Sequence, residues 1–307
     1  MKSTEKLQID LEIGGEIMNF QLMTDATADL PVEIIQKDQL VEFDMSIVIG
    51  EKTFTTVGES RITSDQLLAE MVKGARAVTT AVGIGEAEEK FLEYAKKGIE
   101  VLYLTFSSGL SGTFQSATIA RESVLESFPE AKITVIDSLA AASGEGYLLE
   151  EVVKWRDEGK TVEEIVELLK TLIPRVRSWF MVDDLHFLAR GGRIPKAAAV
   201  FGTMANIKPV LDVDPTGHLR SVSKARGTKK ALSTLIENTL DGIDNENYPR
   251  IIVSYSGSSD LAETAKEEFL KALPEITVDI RPLGPVISAH TGPGTIAIFS
   301  VSKTERQ

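Results

Sequence analysis

Residues 101–117 read VLYLTFSSGLSGTFQSA. VLYLT is apolar and β-rich and predicts a strand; a helical pattern follows across 112–127. Between them stand Ser107, Ser108, Gly109, Ser111, Gly112 and Thr113. In an open parallel sheet, ligands bind outside the C-terminal ends of the strands, and this loop occupies such an end. The helix after it presents unpaired backbone N–H groups and a partial positive charge. Hydroxyl donors and close-approach glycines complete a cradle for an anion that carries no formal positive charge of its own. The same residues equally suit plain capping, with Ser111 as N-cap of the helix.

Working outward, the N-terminal half alternates strand-like and helix-like segments. NFQLM (19–23) and MSIVIG (45–50) predict strands, PVEIIQKDQL (31–40) a helix with Pro31 in its first turn. Thr63 and Gln66 form a capping-box pattern that opens another helix. EAEEKFLEYAKKG (86–98) is helical and ends at Gly98; KITVID (132–137) is the strand after the serine loop's helix. Strand, helix and strand in succession imply right-handed parallel crossovers. Two long helices follow at 144–159 and 161–176, and the domain boundary is placed between them: 19–160 as an N-terminal α/β domain and 161–307 as a C-terminal one. The second half differs. Residues 177–183 predict a strand, and 208–227 a hairpin around Asp214-Pro215-Thr216-Gly217. Helices at 229–240 and 260–273 alternate with strands at 250–256, 276–282 and 295–301. A hairpin among crossovers means a mixed sheet. The expected fold class is therefore α/β in two domains, Rossmann-like and parallel first, mixed second.

Composition limits the chemistry. With no cysteine among 307 residues, disulfides, thiolate metal sites and Cys nucleophiles are excluded, and only His186, His218 and His290 supply imidazole. No metal site and no cofactor is expected. A formal net charge of −13 without a basic stripe argues against nucleic acid. No apolar run approaches the about 20 residues of a membrane span, and the N-terminus lacks a signal-peptide pattern, so a cytoplasmic protein without membrane insertion is expected.

Other segments could meet the serine loop. TDATADLP (24–31) also follows a strand; Asp29 suits a cap, and Thr24, Asp25 and Thr27 can hydrogen-bond neighbouring loops. AVTTAVGIG (77–85) reads as a loop that can offer Thr79 and Thr80 to the same cleft. In DDLHFLARGGRI (183–194), a short helix ends at Gly191-Gly192, flanked by Arg190 and Arg193, which suit either solvated surface positions or a phosphate. His290, in ISAHTGPGTIAIF, suits a structural place between two apolar runs, and in its glycine-rich surroundings it is also the histidine able to fold over a cleft.

In this order, TDATADLP, FSSGLSGTFQSA, VIDS (135–138), DDLHFLARGGRI, NIKPVL (206–211), KARGTKKA (224–231) and HTGPG (290–294) resemble the DegV family, which includes the fatty-acid-binding subunit of bacterial fatty acid kinase. The resemblance runs from about residue 20 to 301. It implies one long-chain fatty acid between two α/β domains and no chemistry by the chain itself: a separate ATP-dependent kinase subunit phosphorylates the carboxylate. It also implies that Thr79, Ser107 or Ser108, and His290 surround the carboxylate, with Ser111 in the same loop, and that Arg193 and Arg226 face the kinase. The chain departs from the family at TTAVG (79–83), where TSQPS is common, and residues 1–18 have no counterpart.

The enzymatic alternative is a serine hydrolase of acyl esters, with Ser107, Ser108 or Ser111 as nucleophile, His290 as base and Asp25 orienting it. SSGLSG lacks the spacing of the G-x-S-x-G elbow. A nucleotide-binding protein is disfavoured by the lack of Walker A and G-x-G-x-x-G motifs.

Overall fold

The computed structural model describes residues 20–196 and 206–307; the leading 19 residues lie outside that description. Four parallel strands form the first sheet: β1 (Gln21–Asp25), β2 (Val41–Phe43), β6 (Val101–Thr105) and β7 (Ile133–Asp137), in the order β2-β1-β6-β7. The connections carry α1 (Val32–Lys37), α2 (Ser64–Val72), α3 (Ile84–Lys97) and α4 (Thr113–Ser127). Every residue of β1 and β6 is buried, as expected for central parallel strands.

A second, three-stranded antiparallel sheet was not anticipated. β3 (Ile47–Ile49) is its centre, flanked by β4 (Lys52–Phe54) and β5 (Ala77–Thr79). The segment expected as a loop at 77–79 is thus an edge strand, with Ile47 opposite Thr79.

The third sheet is mixed, in the order β10-β9-β8-β13-β11-β12. Its strands are β8 (Val176–Met181), β9 (Ile207–Val213), β10 (Leu219–Arg226), β11 (Arg250–Tyr255), β12 (Thr277–Pro282) and β13 (Ile296–Val301). Only β11 and β12 run parallel; β9 and β10 are the hairpin expected around Asp214–Gly217. Around it lie α7 (Leu185–Arg190), α8 (Thr228–Gly242), α9 (Asp260–Ala272) and α10 (Pro285–Thr291).

α5 (Ser143–Asp157) and α6 (Val162–Leu172) join the halves. The Thr63–Gln66 box caps α2, and Thr161 with Glu164 caps α6 in the same way; each cap contributes about 1 kcal/mol. α5 is wedged between the sheets. A Cβ on Gly144 would stand 3.0 Å from the Phe299 ring, and one on Gly146 would stand 2.5 Å from the Ala28 carbonyl oxygen. The largest apolar cluster is therefore shared, running from Leu22 and Leu104 through Leu148 and Val152 of α5 to Phe180 and Phe299. None of the described helices is long and apolar enough to cross a membrane.

Candidate functional site

TDATADLP acts as a brace. Asp25 is fully buried and accepts from the Thr27 backbone N–H and hydroxyl, from Tyr103 Oη at 3.4 Å and from the Phe106 N–H at 3.0 Å. Thr24 donates to Glu145 of α5 at 3.2 Å, and Thr27 Oγ1 lies 3.0 Å from the other Glu145 oxygen. Burial pushes both carboxyls up, and for Glu145 the nearby Asp25 adds to it. The expected cap by Asp29 does not form: α1 starts behind Pro31 with no side-chain cap. Asp29 instead sits at φ 49 with both carboxylate oxygens buried and unpartnered.

The brace fixes the start of the serine loop. Ser107 Oγ donates to the Gly217 carbonyl at 2.9 Å and accepts from the Gly109 N–H at 3.2 Å. Gly109 is required here, because a Cβ would come within 2.7 Å of the Gly217 backbone. Ser108 is exposed, its N–H on Asp137 Oδ1. Ser111 shares a hydrogen bond with Thr113 Oγ1 at 2.9 Å and accepts from the Thr113 N–H, although Gly112 holds the N-cap position of α4. The loop is thereby clamped onto the β9–β10 turn, and its apolar members Phe106 and Leu110 face inward.

What they face is an apolar cleft between the sheets. Its walls are almost wholly apolar. Phe180, Ala297 and Phe299 of the mixed sheet stand opposite Phe106 and Leu110, with Leu219, Val286 and Ile287 closing the sides. Ala142 on its wall has φ 54 and ψ −144, a conformation that costs about 1–3 kcal/mol in a non-glycine residue.

At one end the cleft meets Thr79, His290 and Arg193, the polar residues it shares with a second, more polar space. Thr79 Oγ1 and His290 Nε2 are 2.8 Å apart, so one hydrogen bond spans the partition. Residues 211 positions apart in sequence are thus joined. Burial, reinforced by the Arg193 charge, pushes the His290 pKa down to about 4, leaving the ring neutral at pH 7. Arg193, expected on a partner-facing surface, is half-buried in this wall; Nε donates to the Leu110 carbonyl at 3.1 Å and Nη1 to that of Gly191. Arg226 is exposed at the end of β10. Ser107, Ser108 and Ser111 line neither space. No triad is assembled either: the hydrogen bond to His290 comes from Thr79, Ser107 is bonded to Gly217, and Asp25 belongs to the brace. Arg76, which no motif marked, lines the second space beside Arg190.

Gly191 decides where the His290 ring lies. Its φ of −73 suits any residue, but a Cβ there would stand 2.2 Å from His290 Nδ1. Gly191→Ala is expected to push the ring off the wall toward water. Its pKa, followed by NMR titration against His186 and His218, should climb from about 4 toward the usual 6.5. An unmoved titration would mean that the wall yields and the ring stays.

An apolar cleft with a small polar partition lies between the two α/β halves. The chain belongs to the DegV family: the family model described as "Uncharacterised protein, DegV family" matches residues 19–303. It is 53% identical over 290 residues to the DegV domain-containing protein YteA of Lactococcus lactis, covering 94% of this chain and all of that one. A DegV family protein from Thermus thermophilus, solved as a fatty acid binding protein, is 30% identical with a TM-score of 0.82, covering 93% and 100% of the two chains. One from Eubacterium eligens, solved loaded with heptadecanoic acid, is 25% identical with a TM-score of 0.80, covering 92% and 100%.

Proposed function

We propose that this chain is a cytoplasmic fatty-acid carrier that presents the carboxyl group of its cargo to a separate ATP-dependent kinase subunit. The observation that carries the reading is the apolar chamber ending at the Thr79–His290 pair. A tail of about fifteen methylenes, at about 0.8 kcal/mol each, supplies on the order of 10 kcal/mol before ordering costs are subtracted. The tail sets affinity. The acid group sets orientation, because desolvating it is costly unless donors replace water. Thr79 and neutral His290 are those donors, and the Arg193 guanidinium beside them offsets the charge. Ser107, Ser108 and Ser111 serve by holding the loop that closes the chamber. In the coupled reaction a carboxylate oxygen attacks the terminal phosphorus of ATP, ADP leaves with the electron pair, and an acyl phosphate remains on the carrier. Exposed Arg226 is available to the acidic surface of such a kinase.

Native mass spectrometry of the purified chain, followed by lipid extraction, should recover one long-chain acid per chain. Thr79→Val should weaken acid binding modestly, less than tenfold, and depress hydroxylamine-trapped acyl phosphate in the kinase-coupled assay more strongly. An empty protein that binds no added palmitate would sink the carrier reading. Normal coupled turnover in the valine variant would remove Thr79 from it.

A further inference from the structure

The wall of the apolar cleft carries one polar group that the carrier reading leaves unused. Ser178 of β8 lines the cleft and is only 5% exposed. Among the described residues, its Oγ has no hydrogen-bond partner. The other hydroxyls on that wall are spent. Thr79 is joined to His290, Thr291 Oγ1 donates to the Ile287 carbonyl at 3.2 Å, and Thr295 Oγ1 donates to the Gly292 carbonyl at 3.1 Å. Buried polar groups are nearly always hydrogen-bonded, and an unpaired one is costly. An ordered water is a poor remedy here, because it needs roughly two to four polar partners of its own. Ser178 has Phe299 opposite it in β13 and Phe180 next to it on the same face of β8.

The first turn of α5 comes up beside this hydroxyl. A Cβ on Gly144 would stand 3.2 Å from Ser178 Oγ, so the glycine leaves the oxygen uncovered. Ala141 and Ala142, which lead into the helix, line the same cleft, and no side chain caps it. The unsatisfied N–H groups of such an end carry partial positive charge and favour an oxygen atom nearby. The mixed sheet fixes how far along the cleft this place lies. Thr295, bonded to the end of the helix that bears His290, stands on the wall just ahead of β13, and Ala297 and Phe299 continue it. At about 3.3 Å per residue, Phe299 lies on the order of 13 Å beyond Thr295. An extended alkyl chain, with C–C bonds of about 1.5 Å at tetrahedral angles, covers that distance in about ten carbons. Ser178 therefore meets the middle of a long-chain acid whose carboxyl group is at the partition.

We propose that the cleft takes a fatty acid hydroxylated near the middle of its chain, with Ser178 as the hydrogen-bond partner of the chain hydroxyl. One hydroxyl can donate to or accept from another, so the pair satisfies both oxygens inside an apolar wall. It rests on the carrier reading above, and adds the class of acid carried.

The test uses the full chain stripped of lipid and compares octadecanoate with its 10-hydroxy, 12-hydroxy and 2-hydroxy derivatives by calorimetry. Wild type should bind at least one of the two mid-chain hydroxy acids as tightly as octadecanoate or more so. Ser178→Ala should weaken that acid by about tenfold, the effect of one lost hydrogen bond that leaves a buried hydroxyl unpaired. Octadecanoate affinity should stay within about twofold, which also reports that the variant folds. The 2-hydroxy acid, whose hydroxyl lies at the partition, should be as indifferent to the substitution as octadecanoate. Wild type that takes octadecanoate and rejects both mid-chain hydroxy acids overturns the hydroxyl subsite while leaving the carrier reading intact. An unchanged ratio of hydroxy acid to octadecanoate in Ser178→Ala, or an equal loss for every ligand, overturns it in the same way. Failure of wild type to bind octadecanoate at all strikes the carrier reading instead, and the subsite with it.

Discussion

Ala297→Phe should yield a folded chain that carries no long-chain acid. Ala297 lies in β13, opposite Phe180 of β8 and Ser254 of β11, and its methyl group forms part of the inner cavity wall. A phenyl ring there takes the space of the tail. If it displaces about five methylenes, the loss is on the order of 4 kcal/mol, or roughly a thousandfold in affinity. Adding a ring to a close-packed core ordinarily costs about 1–3 kcal/mol through strain. Here the ring enters unfilled space next to Phe299, so the melting temperature of the lipid-free protein should hold or rise. The two readouts are lipid extraction of the purified variant and displacement of a fluorescent fatty acid. Ala297→Val, a smaller intrusion, should shift the extracted acids toward shorter chains. A phenylalanine variant that still copurifies with a full complement of long-chain acid would place the tail elsewhere.

The fold was legible wherever one element could state its own type. VLYLT and TIAIFSV are buried strands by their own composition, KITVID is a strand by its β-branched residues, Thr63 and Gln66 mark a helix start, and Asp214–Gly217 a hairpin turn. The three-stranded sheet was not legible. Its centre, β3, was read as a strand in MSIVIG, but β4 and β5 are three residues long, too short for a period to declare itself, and Val78 in β5 is 61% exposed. The site divides in the same way. Sequence showed a hydroxyl-rich loop at a strand end, but not what each hydroxyl would meet. Ser107 was read as a donor to an anion, and its proton goes to the carbonyl of Gly217, a partner 110 residues away. The meeting of Thr79 with His290 came only from family resemblance, for no local pattern joins β5 to α10. The cavity wall was invisible for a further reason. Phe106, Phe180, Ala297 and Leu219 come from separate elements, and each looks like an ordinary core residue until the gap between them is seen.

Asp29→Asn should stabilise the protein by an amount that grows with pH. Part of Asp29 reaches solvent, but both carboxylate oxygens are buried without a hydrogen-bond partner. The Gly284 N–H approaches them outside hydrogen-bond geometry and lowers the pKa by less than burial raises it, so the group is pushed up to about 8. The unfolded chain ionises this side chain near 3.8. Between those values the folded state holds a proton that the unfolded state has released, so stability falls as pH rises. The contribution is fully present below about pH 4 and is gone above about pH 8. Asparagine has no proton to lose and, like aspartate, tolerates the left-handed φ of 49 found here. The variant should therefore gain little at pH 4.5 and a few kcal/mol, on the order of 3–5, at pH 8.5. At roughly 2–3 °C per kcal/mol for a chain of this size, its melting temperature should lead wild type by about 6–15 °C at the alkaline end. Glu42, which burial pushes up to about 7, titrates in both chains, so its own slope largely cancels in the difference. A gap between the two melting curves that stays constant from pH 4.5 to 8.5 would mean that Asp29 is ionised throughout, with its charge satisfied by a group such as Arg281.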